Sequence, residues 1–547
     1  MYKKHFTALL LWLFVCGVVV MCFVDIQTKT HQTNYQTYFA VLPHFAIQPT
    51  TIDTTYQSIM NAYNLSGKSL EILIISPDHF DQGNNTLHQE IANTPICFQS
   101  TCLPIYAFYV ENIADIPDMW IKEHGRWTHF PFIKKYFPQA KISLAKISPR
   151  NLANVDTLFT TLHTRNKTSN LLVIASVDFS HYTSEQWAYV HDLKSYYTLL
   201  HATTWKEYQS LEVDCPNCLF LVNTRAQQEH QYPELIKRDS SSTIAHKDVW
   251  KDNTSREFLL YTGIKSQENW IVMWFFGDLI FDRWVPYVLN TPEKIINHFK
   301  TRYQQWNTWL APNIYIHRPG FGLDMLGYNL ETPYVDDSCI SQTPGRPFCS
   351  SGTILWTLKS LWFDTVTLAN NHTWDQLYSW YLQTINNLQT NNIAYAGWIH
   401  FKWLHTNTVL TKNIRWMNIA LHAYNLYNRF SGDMEGYCAD VQLYKHQWYT
   451  NIISIHRWTE YQTLHNTLQE NIGKRLIDCW ADIIIGHHPH VVQDIQRYKD
   501  KPIIYSLWNF LFDQYFSEAT KKGMYVLAHI PLSWKIEIRT GEVVATP

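Results

Sequence analysis

The sequence predicts an α/β chain in which a membrane anchor precedes two α/β domains. Three observations lead to that reading. Lys3 and Lys4 stand before an apolar run, residues 6–24, that only Thr7 and Gly17 interrupt. Six later apolar runs (LEILIISPDHF, LLVIASVDFSHY, IVMWFFGD, DTVTLANNH, NIISIHR and ADIIIGHH) deliver Asp, Asn or His at their ends. Short apolar runs bounded by polar residues read as buried strands, and open α/β sheets bind ligands at the C-terminal ends of such strands. The 547 residues suffice for two or three domains, each with its own core.

The anchor comes first. Nineteen residues at about 1.5 Å each span roughly 28 Å, close to the hydrocarbon thickness of a bilayer. The bulky end of the run, residues 20–24, lacks the small residues of a cleavage site, so an uncleaved anchor is expected. The two lysines put the N-terminus in the cytoplasm and both domains outside. Residues 1–30 are then the tip and anchor. The net charge is −2 and the pI near 6.9, with Lys and Arg dispersed, so no basic footprint argues for nucleic acid.

In the first half, His44 follows a short strand in LPHFAIQP, and Asp78 and His79 end LEILIISPDHF. EHGRWTHFPF occupies residues 123–132, Asp178 and His181 end LLVIASVDFSHY, and VDCPNC supplies Cys215 and Cys218. Over residues 39–224 this pattern resembles the Memo family, also called AmmeMemoRadiSam system protein B, whose fold is related to class III extradiol dioxygenases. The resemblance implies a metal set of His44, His79 and Cys215, with Asp178 and His181 as the neighbouring polar pair. Two histidines and one softer ligand suit iron or copper. Trp127 stands where the family carries an acidic residue, and Pro216 follows Cys215 where it carries glycine. Cys215 and Cys218 also read simply as a structural thiol pair.

Residues 223–269 are polar apart from REFLLYTGI, which reads as the last strand of the first domain. The domains are therefore set at 36–265 and 269–547. The second half carries five polar groups in order: GDLIFDR at 277–283, NLE at 329–331, ANNHTWD at 369–375, His456 with Glu460, and GHHPH at 486–490. Asp, Glu, Asn and His are hard-to-borderline ligands suited to Mn, Fe, Zn or Mg. A single strand-end His is more often a satisfied core residue; five such ends in succession point to a metal centre.

Residues 270–516 resemble the CapA family of capsule and poly-γ-glutamate synthesis proteins, which has a calcineurin-like metallophosphoesterase fold. ADIIIGHHPHVVQDIQRYKDKPIIYSLWNFLFDQ follows the family pattern throughout. The resemblance implies metal ligands at Asp278, Glu331, Asn371, His456, His487, His488 and His490, with His372 as proton donor to a leaving group. Arg283 is expected either on a phosphate or carboxylate of the substrate or in an ion pair with Asp282. The last 27 residues read as two closing strands around a turn.

The cysteines and tryptophans add two expectations. Cys97 with Cys102 and Cys339 with Cys349 bracket short polar loops, and disulfides there suit an oxidising exterior. In the same compartment a free Cys215 is hard to keep reduced. The chain has 23 Trp and only 18 Gly, so glycine is about 3.3 % (18/547) against a usual 7 % or so. Trp284, Trp362, Trp458, Trp480 and Trp508 fall where the CapA pattern has glycine. A gene that uses UGA for glycine, translated with UGA as tryptophan, produces this pattern; a genuine Trp-rich variant is the alternative.

The leading expectation is a membrane-anchored envelope protein for capsule or poly-γ-glutamate type polymer synthesis or export. It carries a metal-dependent phosphoesterase-like site acting on an anionic polymer or phosphoester. Two alternatives stand beside it: an iron- or copper-dependent oxidoreductase in the Memo-like half, and a non-catalytic envelope scaffold.

Overall fold

A computed structural model describes residues 35–45, 49–77, 128–147, 169–265, 270–304, 325–335, 348–426 and 434–546, with short gaps inside these spans, and a few short pieces between 88 and 160. The apolar run at 6–24, His79, Arg283, Trp284, Trp362 and Trp458 lie outside the described residues. Among the described residues no helix is long and apolar enough to cross a membrane. The chain divides into two compact units, Met1–Ala40 with Thr50–Ser176 and Val41–Pro49 with Val177–Pro547.

The first unit is built on parallel strands. β1 (Thr37–Leu42), β2 (Leu70–Pro77), β3 (Lys141–Ile147) and β4 (Asn170–Ser176) lie in the order β3–β2–β4–β1. β2 pairs in parallel with both β3 and β4. Ile72, Leu73, Ile74 and Ile75 are buried on successive positions, as expected where both faces of a parallel sheet are covered. Helix α1 (Pro49–Ala62) turns Ile52, Tyr56 and Ile59 inward at helical spacing. Helix α2 (Phe130–Tyr136) stacks Phe132 on Tyr56 with ring centroids 5.7 Å apart.

The second unit begins with helices α3 (Glu185–His201) and α4 (Pro216–Gln228) and the antiparallel pair β5 (Tyr232–Ser240) and β6 (Ser255–Thr262). REFLLYTGI thus forms a strand. A disulfide joins Cys215 and Cys218 at the start of α4.

Two further sheets make a sandwich. The first contains β7 (Trp270–Leu279), β8 (Met325–Leu330), β9 (Thr365–Thr367), β10 (Ala394–Phe401) and β11 (Leu404–Thr408). The second contains β12 (Leu410–Ile414), β13 (Met417–Asn425), β14 (Tyr449–His456), β15 (Ile483–His487), β16 (Ile495–Tyr498) and β17 (Lys501–Ile504). The chain then returns to the first sheet with β18 (Asn509–Leu511), β19 (Lys522–Pro531) and β20 (Glu537–Val544). The sheet orders are β11–β10–β9–β8–β7–β19–β20, with β18 on β7, and β12–β13–β14–β15–β17–β16. β7, β8, β9 and β10 run parallel, as do β13, β14, β15 and β17. β19 and β20 pair antiparallel, so the expected closing strands form. Ile271, Met273, Phe275, Ile452, Ile483, Ile485 and Val526 belong to one apolar core cluster that draws on both sheets.

Residues 505–509 cross between the two sheets at the C-terminal ends of their parallel strands. The Asp278 amide donates to Trp508 O (2.8 Å), and the Leu507 amide donates to Gly486 O (3.1 Å). A Cβ on Gly277 would lie 1.5 Å from Trp508 O, and one on Gly486 would lie 2.0 Å from Tyr505 O. Only glycine allows this approach.

Among the described residues four tryptophans hold positive φ: Trp416 at 68°, Trp448 at 64°, Trp480 at 77° and Trp508 at 64°. Trp480 follows α6 (Thr467–Asp478), whose N-terminus is fixed by a capping box between Asn466 and Gln469. Its amide donates to Ile477 O while the Ala481 amide donates to Leu476 O. That pair of bonds is the Schellman helix ending, whose left-handed residue is usually glycine. Trp448 lies two residues past α5 (Met434–His446), with its amide bonded to Lys445 O. Trp416 directly precedes β13. Two of the five tryptophans singled out in the sequence, Trp480 and Trp508, therefore stand in glycine conformations, and Trp416 and Trp448 join them.

Trp448 is 81 % exposed, so its indole adds little packing to set against its backbone strain. Trp448→Gly is expected to raise stability by about 1 kcal/mol in denaturant unfolding. Peptides from protein purified from its natural source should carry glycine at 480 and 508 if UGA is read as glycine; indole masses at both positions would exclude that reading. Gly486→Ala should lower stability by about 3 kcal/mol or more, because the neighbouring group is backbone and cannot turn aside.

Candidate metal centre

The polar strand ends of the sandwich gather at one place. Asp278 ends β7, Asn329 and Glu331 end β8, Asn370, Asn371 and His372 follow β9, His456 ends β14, and His487, His488 and His490 end and follow β15. Asp278, Glu331, His456, His487, His488 and His490 are all buried. Two groups of metal-competent atoms result, Asp278–Glu331–His456 and Glu460–His488–His490, each with its atoms within 4.8 Å of one another. Asp278 adjoins both groups, since its Oδ2 is also 3.7 Å from His490 Nδ1.

A polar network holds these side chains in place. Asn329 Nδ2 donates to Asp278 Oδ1 (2.8 Å) and to Glu331 Oε1 (3.3 Å), and lies 3.1 Å from His456 Nδ1. The His488 amide donates to Asp278 Oδ2 (3.1 Å), and His487 Nδ1 stands 3.1 Å from Asp278 Oδ1. His456 Nε2 is 2.7 Å from Asn371 Oδ1 and 3.4 Å from Glu331 Oε1. His490 Nδ1 meets Asn509 Oδ1 at 2.9 Å, and His488 Nε2 is 3.8 Å from Glu460. His488 and His490 adopt φ of 93° and 53°, conformations that side-chain-bearing residues rarely hold.

His372 sits at the rim, half-buried. Its Nδ1 is 2.9 Å from Asp375 Oδ2, and its ring lies 4.2 Å from Phe348 between centroids. The Phe348 amide also donates to Asp375 Oδ2 (3.0 Å), so the carboxylate is fixed from a second side.

The electrostatics favour a cation. Burial, and then the Asp278 carboxylate, push the Glu331 carboxyl well above its usual range. Burial, and then His488, press His456 well below its ordinary value; burial takes His488 to about 4 and also lowers His490. The imidazoles therefore offer neutral lone pairs, while two carboxylates crowd one buried space. A divalent cation reverses that penalty on the carboxylates. Glu331 Oε2 is buried and accepts no hydrogen bond among the described residues. The donor set of carboxylate, imidazole and amide oxygens fits Mn, Fe or Zn.

All of Asp278, Glu331, Asn371, His456, His487, His488 and His490 are thus brought together, with His372 beside them. Sequence reasoning passed over Asn329, Asn370, Asp375, Asn509 and the part taken by Glu460. Asn329 and Asp375 lie inside the NLE and ANNHTWD groups, and the spacing His372 to Asp375 was the available signal; nothing local marked Asn509.

In the first half, His44 and Asp178 do meet. Asp178 Oδ1 accepts the amides of His44 (3.0 Å) and Phe45 (3.1 Å), and its Oδ2 is 3.3 Å from His44 Nε2. His181 turns to Thr254, with Nδ1 3.3 Å from the hydroxyl. Cys215 is bonded to Cys218, and in that state it has no thiolate to offer a metal.

Comparison with known proteins bears on the second half. The family described as Bacterial capsule synthesis protein PGA_cap matches residues 272–514. The chain is 42 % identical over 79 residues to the capsule biosynthesis protein CapA of Bacillus anthracis, 14 % of this chain and 19 % of that protein. It is 43 % identical over 63 residues to the PGA biosynthesis protein CapA of Bacillus subtilis (strain 168), 12 % of this chain and 17 % of that protein. The matched stretches span less than a fifth of the length of these relatives. A solved structure of a hypothetical protein from Thermus thermophilus aligns with 50 % of this chain and 100 % of its own, at 12 % identity and a TM-score of 0.31. The stretch that delivers these polar strand ends, residues 272–514, carries the match to the PGA_cap family.

Proposed function

We propose that this is a membrane-anchored cell-envelope protein for the synthesis or export of a capsule or poly-γ-glutamate type polymer, and that its second half hydrolyses a phosphoester at a two-metal centre. The observation that carries the reading is the pair of ligand groups adjoining Asp278 within the PGA_cap region. Asp278, Glu331, Asn371 and His456 would hold one metal, and Glu460, His488 and His490 a second, with His487 beside Asp278.

Divalent metals bound there would polarise a phosphoryl oxygen and supply a hydroxide nucleophile near neutral pH. The chain's own residues supply the rest. Asp375 holds His372 Nδ1, which leaves Nε2 to carry the proton for the leaving oxygen. Asn329 keeps Asp278, Glu331 and His456 aimed at one point.

An extracytoplasmic location for both domains accords with the disulfides Cys215–Cys218 and Cys438–Cys479 and with the disulfide-bonded state of Cys349. Disulfides persist in oxidising compartments. The apolar run at 6–24 is the proposed anchor.

The full chain loaded with Mn should hold about two metal equivalents more than Asp278→Ala/His490→Ala. It should also hydrolyse a p-nitrophenyl phosphodiester more than roughly 100-fold faster than that variant. Equal metal content in the two proteins, both folded, would refute the centre. Asp375→Asn should lower kcat roughly 100-fold with metal content unchanged, and a kcat within twofold of wild type would remove Asp375 from the proton-transfer role.

A further inference from the structure

The metal set implied for the first half contains a cysteine thiolate, and the structure does not supply one. Cys215 is buried, disulfide-bonded to Cys218, and caps α4 by accepting the Cys218 amide at 3.2 Å. The residue before it has taken a different place. Asp214 Oδ2 is 3.1 Å from His44 Nε2, and Asp178 Oδ2 is 3.3 Å from the same nitrogen. The side chains of His44, Asp178 and Asp214 are 1 %, 2 % and 8 % exposed. Their ligand atoms lie within 4.8 Å of one another.

We propose that His44, Asp178 and Asp214 form a site for a hard divalent cation such as Mn, separate from the centre at Asp278. The spacing suits a shared ion. Ligands about 2.0–2.2 Å from a metal stand roughly 3.0–3.6 Å from one another, which brackets both His44–carboxylate distances. The backbone presets the carboxylates. Asp178 Oδ1 is occupied by the amides of His44 and Phe45, which turns Oδ2 toward the imidazole. The Asp178 amide donates to Asp214 Oδ2 (3.2 Å), and the Asp214 amide returns to Asp178 O (3.2 Å), so the two acids are held as a pair.

The charge count points the same way. Two buried carboxylates and one imidazole carry two negative charges with the ring neutral, and one with the ring protonated. Buried charge of one sign is costly unless it is balanced. Nearby Arg256 bonds Asp239 at 2.7 and 2.9 Å through its guanidinium and donates to the Phe45 carbonyl at 2.8 Å. One nitrogen and two carboxylate oxygens select Mn, Mg or Fe(II) over the copper that a thiolate set would favour.

The test uses the full chain with Asp278→Ala/His490→Ala as background, so that the second-half centre is silent. After equilibration with Mn and desalting, this protein should retain about one Mn, read by elemental analysis and by electron paramagnetic resonance. Adding Asp178→Asn/Asp214→Asn should release it, while Cys215→Ser/Cys218→Ser should keep it. Retention of no Mn in the background protein would reduce the cluster to a buried ion pair and overturn the proposal. Loss of Mn in the serine variant would overturn it in favour of a thiolate set. If the Asn variant unfolds, as circular dichroism would reveal, Asp214→Glu provides the check: it keeps a carboxylate with altered reach and should weaken Mn binding at least tenfold. Unchanged affinity in that variant also overturns the proposal.

Discussion

Residues 505–509 pass so close to the ends of β7 and β15 that only glycine fits at 277 and 486, and the rest of the sandwich depends on that approach. The crossing ties one sheet through the Asp278 amide and the other through the Gly486 carbonyl. It therefore sets how far Asp278, at the end of one sheet, stands from His487, His488 and His490, at the end of the other. The Met524 amide donates to Leu507 O, which links the same segment to the closing strands. A cluster drawn from two sheets can hold ligand spacings of 3–4 Å only if the sheets are fixed against each other at that end.

On this frame the polar side chains order one another. Asn329 is at the centre, with Asp278, Glu331 and His456 all within hydrogen-bond distance of its Nδ2. Its Oδ1 accepts from Thr367 (3.2 Å) and Asn370 (3.3 Å), so both ends of the amide are used. Such a buried network is worth keeping only when its members are satisfied, and the carboxylate oxygen left over, Glu331 Oε2, is where a cation would complete it. The positive φ of His488 and His490 is strain held by the same surroundings, which is common where geometry serves chemistry.

The two candidate centres differ in how they are built. The second-half centre draws on side chains from both sheets of a sandwich. The cluster at His44 uses three residues, and backbone amides rather than side-chain networks aim its carboxylates. Its neighbour Cys215 is withdrawn into a disulfide that shapes the start of α4. The softer metal chemistry implied by the Memo resemblance therefore has no thiolate to act through while that disulfide stands.

Much of the second half was legible in the letters. Apolar runs with strand length and polar ends became β7, β9, β14 and β15, because burial on both faces leaves only the C-terminal end free to be polar. The ligand types at those ends followed directly, since each is local to its strand. The shortage of glycine was also legible, and Trp480 and Trp508 prove to hold the left-handed backbone that glycine suits. Tertiary structure alone decided the partners. Asn329 meets Asp278 across 51 residues and His456 across 127, and the His488 amide reaches Asp278 across 210. Asn509 and Asp214 gained their places in the same way. A sequence displays which groups a strand carries to its end, but which of them share a few ångströms is set by how the strands are stacked, and that is a property of the packed core.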